Sequence, residues 1–169
     1  DRVRFAAVMT WAVLLGMSGC TPADSDDPSG VGTVEGVVDG DTIDVAFGDT
    51  VERIRLIGID TPETKKPNSP VECFGPEASA FTTSLLSPGT RVRVDRDVVG
   101  RDDYGRLLGY VYLLGRDGTE ELFVNHEIIR KGYATPLTIE PNSTFARDFA
   151  SAAIDAEADD LGLWAACSP

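Results

Sequence analysis

The chain has 169 residues, 42% hydrophobic and 25% charged, which suits one globular domain with a single core. Its formal net charge is −13, so the molecule as a whole repels polyanions, and composition alone speaks against a nucleic-acid partner. With one His and no Cys-x-x-Cys pair, a zinc site is not expected.

Arg2 and Arg4 precede an apolar run from Phe5 to Leu15, followed by Gly16-Met17-Ser18-Gly19-Cys20. A basic start, a short apolar middle and small residues at the cut read as a secretory signal. The run is too short to span a bilayer comfortably. A Cys at the cut resembles the signal of bacterial lipoproteins, which implies lipidation of Cys20 and a membrane-anchored protein facing outside the cytoplasm. From Thr21 to Gly32 the chain is Pro, Asp, Ser and Gly with almost nothing apolar, and reads as a flexible tether. The expected division is therefore a signal at 1–19, a tether at 20–32 and a folded domain at 33–169.

Within that domain, Thr33 to Val38 alternates like a strand and Asp39-Gly40 makes a hairpin turn. Thr42 to Phe47 is a second strand ending at Gly48-Asp49, and Val51 to Ile59 a third, with Arg53 and Arg55 on one face. A helix begins near Pro76, carries Ala78, Phe81 and Leu85, and ends at Pro88-Gly89. Arg91 to Asp95 and Leu107 to Leu114 are the fourth and fifth strands. Leu122 to Lys131 is a second helix, stopped by Gly132. A third starts near Asn142 or Ser143 and ends by Gly162. Five short strands with helices after the third and fifth predict an α+β fold, a five-stranded barrel of the oligonucleotide-binding (OB-fold) type with three helices. Cys73 and Cys167 remain, and in an exported protein they most simply pair, stapling the C-terminal tail to the loop before the first helix.

Three clusters carry chemistry: Asp39-Gly40-Asp41-Thr42, Arg55 through Thr64, and Asp102-Asp103-Tyr104-Gly105-Arg106. Asp41 opens the second strand and Asp60 closes the third, at one end of the barrel. Two neighbouring carboxylates repel unless a cation lies between them, and oxygen donors alone favour a hard one, Ca²⁺ or Mg²⁺. Arg55 and Arg106 stay charged and offer planar forks for phosphate. Glu63 follows closely, where it could orient or deprotonate water. Such a set suits phosphodiester cleavage. Taken singly, each piece also reads as ordinary: a hairpin turn, a capped helix start, a solvated loop residue. His126, at the start of a predicted helix, is expected at the surface or in a cap rather than in catalysis.

These motifs, with Gly75-Pro76-Glu77-Ala78-Ser79-Ala80-Phe81, Pro141-Asn142-Ser143-Thr144 and Gly162-Leu163-Trp164, resemble the staphylococcal nuclease (thermonuclease) family in order and spacing, from about Thr33 to Trp164. The resemblance implies Ca²⁺ held by the Asp41 and Asp60 carboxylates and the Thr61 carbonyl. It implies Arg55 and Arg106 on the phosphate, Glu63 positioning the attacking water, and Tyr104 on a terminal phosphate. It implies cleavage of DNA and RNA to 3′-phosphate products by what is expected to be a monomer. Lys65 and Lys66 are the basic residues nearest the site in sequence and are expected to help bind substrate. Two departures stand out: Asp103 replaces a basic residue before the tyrosine, and the loop Thr135 to Glu140 has no aromatic side chain. Weaker, salt-sensitive binding with catalysis kept is the expectation. The alternative is a binding module of the same fold that cuts weakly or not at all.

Overall fold

The computed structural model describes residues 30–65 and 70–167. The expected signal, Cys20 and most of the tether lie outside the described residues, as does Lys66. Strands β1 (Gly30–Asp39), β2 (Thr42–Phe47) and β3 (Thr50–Leu56) form an antiparallel meander. A short strand β4 (Gly58–Asp60) follows, then helix α1 (Gly75–Leu85), β5 (Arg91–Asp95), β6 (Leu107–Leu114) and β7 (Glu120–Phe123). Helix α2 (Val124–Arg130), strand β8 (Thr135–Leu137), helix α3 (Ala146–Ala158) and a single turn α4 (Leu163–Ala166) complete the chain.

The sheet order is β3-β2-β1-β5-β6-β7, and a parallel pairing of β3 with β6 closes the first five strands into a barrel. Alternation along these strands sends Ile43, Val45, Ile54, Leu56, Val92, Val94, Leu107 and Val111 inward, all essentially without solvent contact. Ile128 and Ile129 of α2 and Phe149 of α3 join the same core. The expected five-stranded barrel with helices is what forms.

Several boundaries differ from expectation, each for a physical reason. Strand β1 opens at Gly30 because Gly30 to Gly32 pair with Val94 to Val92 of β5. The single strand expected from Val51 to Ile59 is broken at Ile57. There Gly58 takes φ +81°, and a Cβ on it would lie 2.2 Å from the Phe149 ring of α3, so only glycine lets the helix approach so closely. Leu122 and Phe123, expected to start the second helix, instead end β7, where Leu122 pairs with Leu113 and Phe123 with Tyr112, the two rings stacking at 4.6 Å. Helix α3 begins at Ala146 and not at Asn142: the Asn142 side chain instead pairs with the Val99 backbone, accepting from its N–H at 2.8 Å and donating to its carbonyl at 2.9 Å. Residues 135–137, expected as loop, form β8 against β4.

Asn125 ties the break between β3 and β4 to strand β6. Its fully buried side chain accepts from Val111 N–H at 2.9 Å and donates to the carbonyls of Ile57 (2.9 Å) and Gly109 (3.3 Å). Asn125→Ala removes the partner of the buried Val111 N–H and Ile57 carbonyl and should destabilise the fold by about 2–3 kcal/mol in denaturant titration.

Cys73, just before α1, is bonded to Cys167 just after α4, across 94 residues of chain. In the chain-entropy picture a loop of that length contributes about 4–5 kcal/mol. Replacing both cysteines with Ser should lower the unfolding free energy by that order. Mass spectrometry without reductant should show the two cysteines linked, and two free thiols would contradict the pairing.

Candidate active site

The β1–β2 turn, the β3–β4 segment and the loop before β6 meet at one end of the barrel. The turn is pinned from both sides. Thr82 of α1 donates to the Gly40 carbonyl at 2.6 Å, and a Cβ on Gly40 would lie 2.6 Å from Thr61 Oγ1. That close approach lets Asp41 reach Thr61. Asp41 is buried; its Oδ2 accepts from Thr61 N–H (3.1 Å) and Oγ1–H (3.0 Å), and its Oδ1 from Thr42 Oγ1–H (3.0 Å).

Arg55 ties this turn to Asp60. Its Nη2 lies 3.3 Å from Asp41 Oδ2 and 2.9 Å from Asp60 Oδ1. Its Nη1 donates to the carbonyls of Leu56 and Ile59, which the break in the strand turns toward it. The Asp60 carboxyl is about half exposed, and its pKa is raised: burial pushes it up, Arg55 pulls it down, and the negative charges of Asp41 and Glu72 add to the rise.

Glu63 sits in the next turn. Its Oε1 accepts from the N–H groups of Thr64 (3.1 Å) and Lys65 (3.0 Å). Hydrogen bonding to Asp39 raises the Glu63 pKa, and burial adds to the rise. For Asp39 burial acts upward too, but hydrogen bonds from Glu63, Thr64 and Gly40 outweigh it and its pKa falls. Glu72, beside Cys73, braces the turn: its N–H donates to the Glu63 carbonyl at 3.0 Å and its Oε2 accepts from Glu63 N–H at 3.0 Å.

Arg106 arrives from the other side. The parallel register sets Ile54 beside Leu107, so Arg106 enters next to Arg53 and Arg55 on the outer face of the barrel. Asp102 shapes the loop that carries it, accepting from Tyr104 N–H (3.0 Å), Arg106 N–H (2.9 Å) and Arg106 Nε–H (2.7 Å). Arg101 holds the same loop through the Gly105 carbonyl (2.8 Å), and is itself held by both oxygens of Glu52 on β3 at 2.9 and 3.0 Å. The Tyr104 ring is 86% exposed and lies 5.6 Å from the Arg106 guanidinium carbon.

All these groups border one cleft of about 620 Å³, lined by Asp39, Asp41, Asp60, Thr61, Glu63 and Glu72 together with Arg53, Arg55, Lys65, Tyr104 and Arg106. A second hollow of about 420 Å³ shares Arg55, Tyr104 and Arg106 with it and continues over the aliphatic side chains of Ile57, Val99, Leu108, Leu137 and Ile139. Among the described residues no cluster of three or more His, Cys, Asp or Glu side chains stands ready to enclose a metal. Two carboxylates with a carbonyl suit instead an open site for a hard cation that keeps some of its own water, and the crowding of negative charge around Asp60 favours one.

The chain that builds this site has relatives in sequence. The staphylococcal nuclease homologue family matches residues 53–166. The chain belongs to the staphylococcal nuclease family. It is 40% identical over 131 residues to a thermonuclease of Staphylococcus intermedius, covering 78% of this chain and 74% of that protein. It is 37% identical over 133 residues to the SPbeta prophage-derived endonuclease YokF of Bacillus subtilis, covering 78% of this chain and 43% of that protein. Against endonuclease YncB of the same organism the identity is 35%, over 78% of this chain and 60% of the relative.

Sequence reasoning brought out Asp41, Arg55, Asp60, Thr61, Glu63, Lys65, Tyr104 and Arg106, and the structure gathers all of them around one cleft. His126 lies away from it, on α2 beside the Phe123 and Phe149 rings. The supports were not anticipated: Asp39 and Glu72 around Glu63, Asp102 beneath Arg106, and the Glu52–Arg101 fork. Only Asp102 left a signal, an Asp two residues ahead of a Tyr-Gly turn. Glu52→Ala should speed hydrogen exchange at the Gly105 and Arg106 amides and cost about 1–2 kcal/mol of stability, since a charge-assisted fork is lost. Unchanged exchange there would show that the fork does not hold the loop.

Proposed function

We propose that this nuclease is a Ca²⁺-dependent phosphodiesterase that cuts DNA and RNA strands and leaves 3′-phosphate ends. The observation that carries the reading is the Arg55 guanidinium bridging Asp41 and Asp60 at the mouth of a cleft that Arg106 and Glu63 also line. The Asp41 and Asp60 carboxylates with the Thr61 carbonyl would hold the cation. When bound, it would supply positive charge to the scissile phosphate and the leaving oxygen.

The remaining work falls to side chains of this chain. Arg55 and Arg106 offer planar donors to the equatorial oxygens of the phosphate and stabilise the charge that builds there during in-line attack. Arg106 is oriented beforehand by Asp102, whereas the Nη groups of Arg55 are engaged by Asp41, Asp60 and the Leu56 and Ile59 carbonyls, so Arg55 gives up one of these partners to fork onto a phosphate. Glu63, once ionised, accepts a hydrogen bond from the attacking water and orients it. Tyr104 reaches a neighbouring phosphate, Lys65 adds positive charge at the rim, and the nucleotide base rests on the aliphatic hollow. The reading includes an exported, monomeric enzyme anchored to a membrane through a lipid on Cys20.

The test uses single-stranded DNA with Ca²⁺ or with chelator. Cleavage should vanish on chelation and return with Ca²⁺. Glu63→Ser and Arg106→Ala should each lower kcat by a factor on the order of 10²–10³, the loss expected on removing one preorganised charge-stabilising group. Strand binding without cleavage at high protein concentration would instead favour a non-cutting binding module.

A further inference from the structure

We propose that Arg53, with Arg106 and Tyr104, forms a second phosphate subsite beside the catalytic cleft, one that takes the neighbouring phosphodiester of a bound single strand. The inference rests on the nuclease reading and adds to it a residue that none of the roles above uses.

Arg53 stands two residues before Arg55 on β3, on the same outer face, about 7 Å away along the strand. The register of β3 with β6 sets Ile54 beside Leu107, and one step back places Arg53 alongside Arg106. The three guanidiniums therefore share one face where the barrel closes. Arg53 lines the catalytic cleft, and it also lines a shallow depression of about 410 Å³ with Tyr104, Gly105 and Arg106. The depression shares Arg53, Tyr104 and Arg106 with the cleft.

The Arg53 side chain is 53% exposed, and its plane is fixed by the Asp44 carboxylate opposite on β2, with Nε to Oδ1 at 2.9 Å and Nη2 to Oδ2 at 3.1 Å. That fork occupies one edge of the guanidinium and leaves the Nη1 edge for a ligand. Asp102 likewise engages Arg106 through Nε. The two carboxylates reduce the local positive charge but orient both arginines, and planar forks match phosphate oxygens better than a point charge would. Tyr104, exposed beside Arg106, lines the same depression, where its ring offers a face on which a base can stack. An exposed Arg–Asp pair adds little to stability, so removing Arg53 leaves the fold intact.

The experiment compares a single-stranded oligonucleotide of about ten nucleotides with a dinucleotide that has one phosphodiester. Arg53→Ala should lower kcat/KM on the longer strand roughly fivefold or more beyond any loss on the dinucleotide, chiefly through KM. Binding of the longer strand is measured in the Glu63→Ser background, so that it stays intact. There, adding Arg53→Ala should reduce the slope of log Kd against log salt by about 0.7, the share of one phosphate contact on a single strand. Arg91→Ala, which removes the same charge from β5 away from the cleft, should match the wild type in both assays. Equal loss on both substrates, or an unaltered salt slope, overturns the subsite while leaving the nuclease standing. A wild type that neither binds nor cuts the longer strand overturns both.

Discussion

The Asp41 carboxylate is the point on which the site turns. It accepts from the Thr61 backbone and side chain, from Thr42, and lies against the Arg55 guanidinium. Three stretches of chain are thereby held together: the turn after β1, the strand that carries Arg55, and the segment that leads to Glu63. A buried carboxylate without these partners would cost several kcal/mol. The local backbone is built to deliver them. Gly40 has no side chain to hold Thr61 away, and the Leu56 N–H donates to the Asp41 carbonyl at 2.9 Å, locking the turn to the end of β3.

Around this centre, charge is arranged in alternation. Each arginine of the cleft has a carboxylate behind it: Asp44 for Arg53, Asp41 and Asp60 for Arg55, Asp102 for Arg106. The pattern explains how a chain of net charge −13 can present guanidinium groups to a polyanion. The acids sit beneath and beside the arginines, where they orient them. Long-range attraction is weak in such a protein, so affinity must come from short-range forks. The general field and the local site thus act in opposite directions.

Much of this was legible in the primary structure, and the rest was hidden for identifiable reasons. Strand alternation and turn residues set out the barrel, because Ile43, Val45, Ile54, Leu56, Val92 and Val94 keep a strict period of two. The break at Ile57 was invisible because Leu56, Ile57 and Ile59 look like uninterrupted strand, and only the packing of Phe149 reveals why Gly58 must bend. Asn142 looked like a helix cap by residue type, yet its partner, Val99, lies 43 residues earlier in the chain. Glu52 and Glu72 were passed over, and Asp39 was read only as part of a hairpin turn, for the same cause: each acts on a residue that only the fold brings near. Arg53 was noted for its face but given no role, since its neighbour Arg106 is reached through a parallel strand pairing that sequence does not announce.

The bridge between Cys73 and Cys167 has a consequence for the order of assembly. Residues 70–75 brace Glu63 through Glu72, but their covalent anchor is made 94 residues later in the chain. A growing polypeptide can therefore complete the barrel before the turn that carries Glu63 is tied down. A chain cut short of Cys167 would keep β1 to β6 and lose the tie.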